Sequence, residues 1–147
     1  MQEKIDVIIQ ARLGSTRLPK KVIADINGKS MLEILIKRIK KSKKINEIII
    51  ATTTKKIDDF LCEKANKLDL KVIRGSEVDV LARFMDAAKI SSASYFIRVT
   101  ADCPLLDHHL IDDLIDAFKK EKVDYLSNCY PPNLKPTNPV SPNPSSP

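Results

Sequence analysis

I-D-V-I-I-Q-A-R-L-G-S-T-R-L-P-K-K, residues 5–21, is an apolar run that turns into a cation-rich loop. Ile5–Ile9 is predicted to be the first buried strand of a parallel sheet, because a strand covered on both faces is apolar with little alternation. Open α/β sheets bind their ligands beyond the carboxyl ends of the strands, which places a ligand at the loop that follows. Arg12, Arg17, Lys20 and Lys21 crowd that loop, with Ser15 and Thr16 between them and no acid. Such a loop suits a polyanion.

Generic phosphate motifs are excluded. A P-loop needs G-x-x-x-x-G-K-[ST] and a dinucleotide fold needs G-x-G-x-x-G, whereas Gly14, Gly28 and Gly75 are the only glycines and lie far apart. Phosphates bound here would be held largely by Arg12, Arg17 and Lys21. Arginine offers a planar fork and lysine a compact point charge. Pro19 stiffens the loop. A solvated basic loop is the other reading, and spacing alone favours neither.

Outward from this loop, strands and helices alternate. Asn27-Gly28 predicts a tight turn. Ser30 and Glu33 form a capping box for a helix carrying Met31, Leu32, Leu35, Ile36 and Ile39 inward. Glu47–Thr53 is a second strand, and Lys55–Leu68 a second helix with Ile57, Phe60, Leu61, Ala65 and Leu68 inward. Leu70–Ile73 is a third strand. Ser76 is expected to cap a third helix running through Val80, Leu81, Phe84 and Ala88, on which Asp79 and Arg83 have the spacing of an ion pair. Tyr95–Thr100 is a fourth strand, Asp107 caps a fourth helix, and Val123–Leu126 is a candidate fifth strand. The alternation calls for a doubly wound, right-handed parallel sheet.

Composition sets the outer limits. The chain has 147 residues, 43% hydrophobic and 30% charged, with a net charge of +6; this fits one globular domain and selects no single class of acidic partner. Asp6 and Arg12 break up the N-terminal apolar run, so no signal peptide is expected there, and no apolar stretch has the length of a membrane span. A cytoplasmic protein without a membrane partner is expected. Lys37, Arg38, Lys40, Lys41, Lys43 and Lys44 are read as cations at a helix C-terminus and in solvent. A nucleic-acid patch is the competing reading, but no aromatic residue interleaves to stack on bases, and no nucleic-acid partner is expected. Cys62, Cys103 and Cys129 are widely spaced, against a disulfide framework or zinc site; Cys62 and Cys103 are read as packing residues. His108 and His109 are expected to point apart and to be exposed. Seven of the nine prolines lie from Pro131 onward. Residues 1–128 are therefore expected to form the folded domain and residues 129–147 a disordered Pro/Asn/Ser-rich tail.

Asp102, at the end of the fourth strand, shares the sheet edge with the basic loop if the topology holds. A carboxylate facing a triphosphate is a common way to hold Mg²⁺, which takes one or two carboxylates plus phosphate oxygens. The alternative is an aspartate capping the turn before Pro104.

Four ordered stretches carry a family resemblance: I-I-Q-A-R-L-G-S-T-R-L-P-K-K-V (8–22), I-I-I-A-T-T-T (48–54), R-G-S-E-V-D-V-L-A-R-F (74–84) and R-V-T-A-D-C-P-L-L-D (98–107). Together they resemble the cytidylyltransferase family of spore-coat polysaccharide biosynthesis proteins, related to the enzymes that activate 3-deoxy-manno-octulosonate and acylneuraminates. The resemblance implies a three-layer α/β/α nucleotide-diphospho-sugar transferase (GT-A-like) fold. It also implies transfer of CMP from CTP to a sugar or sugar acid with release of pyrophosphate. Carried over by position, Arg12, Arg17 and Lys21 would bind the triphosphate as catalytic residues, Lys21 rather than Lys20 matching the motif lysine. Ala11, Leu13 and Gly14 would approach the nucleotide, Gly75, Ser76, Asp79 and Arg83 would line its pocket, and Asp102 would bind Mg²⁺. Members of the family continue with further strands and a sugar-binding region where this chain turns Pro-rich. The resemblance therefore implies a C-terminally truncated member, with two further expectations. A homodimer or partner chain would cover an exposed sheet edge, and the alternative to catalysis is an inactive nucleotide- or nucleotide-sugar-binding module.

Overall fold

The computed structural model describes residues 3–14 and 18–129. Its main sheet is built from β1 (Ile5–Gln10), β4 (Ile48–Thr53), β5 (Lys71–Gly75) and β6 (Tyr95–Thr100). They lie in the order β5-β4-β1-β6, all parallel. β1 is central because every side chain from Ile5 to Ile9 is buried. Val7 and Ile9 join one core with Leu32, Leu35, Leu61, Ala65, Ile111 and Ile115. Ile8 joins a second with Ile49, Ala51 and Ala87. Successive strand residues face opposite sides, so α1 (Met31–Ile39), α2 (Asp59–Lys67) and α4 (His108–Glu121) cover one face, and α3 (Val80–Lys89) the other. This is the expected three-layer α/β/α arrangement.

Local chemistry sets several boundaries. A short hairpin, β2 (Asp25–Ile26) and β3 (Lys29–Ser30), turns at Asn27 and Gly28 with φ of 52° and 81°. Both values are left-handed, as a two-residue hairpin with the sheet's twist requires. Ser30 then caps α1: its hydroxyl accepts the Glu33 amide at 3.3 Å, while the Ser30 amide donates to Glu33 Oε2 at 2.7 Å. The Ser30 hydroxyl also donates to Glu33 Oε2 at 2.7 Å, and this bond, then that from the Ser30 amide, with help from Lys64, holds the Glu33 pKa down at about 2.

Four expectations need correction. A 3-10 turn at Lys56–Asp58 precedes α2. It shifts the helical phase, leaving Ile57 and Phe60 exposed while Leu61 and Ala65 stay in the core. The cap of α3 is Asp79, whose carboxylate accepts the Ala82 amide at 2.8 Å; Ser76 instead accepts the Asp79 amide at 3.0 Å. Val80 and Leu81 are exposed because the first turn of α3 overhangs the sheet end, where Gln10 Nε2 donates to the Val80 carbonyl at 3.2 Å. Residues 123–126 form no strand; after the left-handed Lys122 that ends α4, Val123 and Tyr125 are exposed. β6 is thus an edge strand among the described residues. Residues 130–147, most of the expected tail, lie outside the described residues, and no helix among the described ones is long and apolar enough to cross a membrane.

Candidate functional site

At the carboxyl ends of the four strands Ile73, Ala51, Gln10 and Thr100 form one row, and the pair Thr53 and Gly75 extends two residues beyond it. The loop after β1 is bolted to this row. Ala11 N donates to the Ala51 carbonyl at 3.1 Å, and Leu13 N to Asp58 Oδ1 at 2.7 Å. Asp58 is 1% exposed, and its other oxygen accepts the Thr53 hydroxyl. Ala11 and Leu13 are buried, so the intervening Arg12 is turned outward. The loop base closes where Lys20, at φ 57°, donates its amide to the Leu13 carbonyl at 3.1 Å. Buried Val22 then fixes the 3-10 turn Lys21–Ile23. Lys21 Nζ reaches Asp102 Oδ2 at 2.5 Å, joining the loops that follow β1 and β6. The hydrogen bond from Lys21, with a further one from Thr100, holds the Asp102 carboxyl below the usual carboxylate range, against partial desolvation.

A second charge cluster sits over β4 and β5. Glu77 is bridged by Arg12 at 3.6 Å and by Lys55 at 2.6 Å. A Cβ on Gly14 would lie 3.8 Å from Glu77 Oε1, so the loop backbone borders the same carboxylate. Lys55 is held by its backbone, because Arg74 donates to the Lys55 carbonyl at 2.8 Å, to the Thr53 carbonyl at 2.9 Å and to Asp59 at 2.6 Å. Beneath lies Arg83, 3% exposed. Its Nη1 donates to the Ser76 carbonyl at 2.8 Å, while its Nε has no partner. Burial, then the neighbouring Arg12 charge, lowers the Arg83 pKa from the ordinary arginine value. Gly75 is small for a reason. A Cβ there would stand 3.2 Å from Arg83 Cγ and 3.4 Å from its Cα, so this position lets α3 approach the sheet.

The structure therefore gathers Ala11, Arg12, Leu13, Gly14, Lys21, Gly75, Ser76, Asp79, Arg83 and Asp102 along one sheet edge. Ser15, Thr16 and Arg17 lie outside the described residues. Asp79 caps a helix and Arg83 bonds to a carbonyl, so the ion pair expected between them is replaced by two backbone contacts. Cys103 is exposed rather than packed, its sulfur 3.4 Å from Thr100 Oγ1. His108 and His109 stack at 4.0 Å instead of pointing apart, with His108 half-buried. Sequence reasoning missed Lys55, Asp58 and Glu77. Their partners lie far along the chain, and only the polar Asp58 within an apolar helical pattern offered a signal.

A concavity of about 610 Å³ lies elsewhere, at the amino ends of β4 and β5. Among its charged groups Lys71 pairs with Glu47 at 2.6 Å, and Lys40 donates to the Leu68 carbonyl at 3.2 Å. Other members of the lysine-rich run are bound within the chain as well, Lys44 to Asp116 and neighbouring Arg38 to the Leu106 carbonyl at 2.8 Å. The carboxyl edge is the better ligand site on chemistry, although this hollow lies opposite.

Comparison with known proteins gives the family. A family model described as cytidylyltransferase matches residues 7–145. The spore coat polysaccharide biosynthesis protein SpsF of Bacillus subtilis is 40% identical over 122 residues, 80% of this chain and 51% of that protein. The 3-deoxy-manno-octulosonate cytidylyltransferase of Francisella tularensis subsp. novicida is 33% identical over 144 residues, 88% of this chain and 56% of that protein. The structure of a cytidylyltransferase from Leptospira borgpetersenii superposes with a TM-score of 0.77 at 37% identity, covering 82% of this chain and 51% of that one. The chain spans about half the length of the curated relatives it matches.

Proposed function

The chain belongs to the cytidylyltransferase family, and on that premise we propose that it binds CTP at the carboxyl edge of its sheet and transfers CMP to a sugar or sugar acid, releasing pyrophosphate. The names of the relatives support an acceptor of that class and a role in surface or spore-coat polysaccharide synthesis. The observation that carries the reading is the contact between Lys21 and Asp102 at 2.5 Å. It brings a lysine suited to phosphate and a carboxylate suited to a metal together at the edge that also carries Arg12.

In this reading Arg12, Arg17 and Lys21 bind the triphosphate and stabilise the charge that builds on its oxygens as pyrophosphate departs. An acceptor hydroxyl attacks the α-phosphorus in line and loses its proton to the surroundings. Buried Ala11 and Leu13, clamped by Ala51 and Asp58, hold the loop backbone against the nucleotide. Asp102 is a hard oxygen donor, partly exposed, beside Lys21; this fits Mg²⁺ bound through one carboxylate plus phosphate oxygens. Bound there, the ion would neutralise phosphate charge. The shelf of the sheet beside α3, where Arg98 and Thr100 are exposed, offers room for the acceptor.

The test is pyrophosphate release from CTP, measured beside ATP, GTP and UTP, with Mg²⁺ and a panel of sugars and sugar acids. Release with CTP and one acceptor class supports the proposal. CTP binding without pyrophosphate would replace transfer by nucleotide holding alone, and no binding of any nucleotide would remove both.

A further inference from the structure

Glu77 is an acid set between two cations at the carboxyl edge of the sheet. Its carboxylate is shared by Arg12 and Lys55, whose side chains are about half exposed, while the backbone at Gly14 borders it. Arg83, buried below, feels the attraction of Asp58 and Glu77 and the repulsion of Arg12, and its Nε is left without a partner. A buried guanidinium nitrogen without an acceptor is costly, and clustered cations normally gather around more than one carboxylate's worth of charge.

We propose that Glu77 is an internal occupant of a phosphate seat: its carboxylate takes the place of a terminal phosphate of the nucleotide, Lys55 is a further phosphate-binding residue, and binding displaces Glu77 from Arg12 and Lys55. This rests on the nucleotide reading above. The chemistry fits because a phosphate group brings more negative charge and more acceptor oxygens than a carboxylate, enough to engage Arg12 and Lys55 together. The geometry allows the exchange, since Glu77 precedes the Asp79 cap and lies outside α3, so it can turn away without breaking the helix. Lys55 stays aimed at the seat because Arg74 grips its carbonyl.

The experiment measures binding of CTP and of inorganic tripolyphosphate by calorimetry, without divalent ions, to the full chain and to Glu77→Gln, Lys55→Met and the double variant. Removing the internal competitor is expected to tighten both probes roughly fivefold in Glu77→Gln, and Lys55→Met to weaken them by about the same factor. In the Lys55→Met background the gain from Glu77→Gln should shrink, because the two act on one seat. Thermal melting checks that each variant folds, and Glu77→Ser replaces Glu77→Gln if the latter does not. Unchanged or weaker binding in the folded Glu77 variants overturns the inference. CTP binding that falls in Arg12→Ala but ignores Glu77 leaves the nucleotide reading standing and this inference refuted. Tripolyphosphate that tightens while CTP never binds refutes the nucleotide reading and overturns the inference as a nucleotide seat, leaving Glu77 the occupant of an inorganic polyphosphate seat. Failure of both probes in every variant overturns both.

Discussion

The two ends of the parallel sheet use a buried aspartate in the same way and to different effect. At the amino end Asp6, wholly buried in β1, accepts from Asn46 Nδ2 and the Glu47 amide at 3.0 Å each and from the Ser91 hydroxyl. At the carboxyl end Asp58 accepts from the Leu13 amide and the Thr53 hydroxyl. Both act as clamps, tying a loop to a strand end in place of a backbone partner. Around Asp6 the neighbouring charges close on one another, as Lys71 does on Glu47. Around Asp58 they do not: Arg83 Nε is idle, and two cations share Glu77. Satisfied polar groups mark structure, and the end left partly unsatisfied is where a ligand has something to gain.

The largest expected difference between the ends is catalytic. Arg12→Ala or Asp102→Asn should lower the rate of pyrophosphate release by roughly 10²–10³, the loss typical of one charge-stabilising contact in a preorganised site. Lys71→Ala, at the amino end, should leave the rate unchanged; an equal loss there would erase the contrast. Next comes stability. Asp58→Ala and Asp6→Ala should each cost about 1–3 kcal/mol in urea unfolding, because each leaves a backbone donor and a side-chain donor unmatched. Only Asp58→Ala should also weaken CTP binding, since only its loop carries site residues. Gly75→Ala is expected to cost a further, comparable or smaller amount, about 1–3 kcal/mol, by pushing Arg83 and the α3 backbone away; weakened tripolyphosphate binding in the folded variant would tie that position to the site.

The smallest effect sets a baseline away from both ends. The folded pKa of Glu33 is depressed to about 2 from 4.5, so the stability it contributes is present above about pH 4.5 and is lost as pH falls toward 2. The pair it makes is partly exposed, so the loss should be a fraction of that at Asp58. Chemical denaturation from pH 6 to pH 2 should show a decline that flattens in Glu33→Gln.

Features set by neighbours in the chain were legible in advance. The capping box at Ser30 and Glu33 and the Asn27-Gly28 turn need only three or four residues to declare themselves, and Ile5–Ile9 announces a strand buried on both faces. Phase was harder. One 3-10 turn before α2 moved Ile57 and Phe60 into solvent, and the overhang of α3 did the same for Val80 and Leu81. Of the site, Arg12, Lys21 and Asp102 were visible through ordered motifs and their places after strands. Lys55, Asp58 and Glu77 were not, because what makes them notable is a contact across the fold: Leu13 and Asp58 are 45 residues apart. No local pattern encodes such a meeting.

The single bond from Lys20 N to the Leu13 carbonyl has a thermodynamic consequence. It draws the two ends of a short segment together before any substrate arrives, so the entropy of loop closure is already spent in folding. A ligand touching both Arg12 and Lys21 meets two backbone positions already tied together. Severing that tie, by placing a proline at position 20, should make association slower and more temperature-sensitive while leaving the sheet intact.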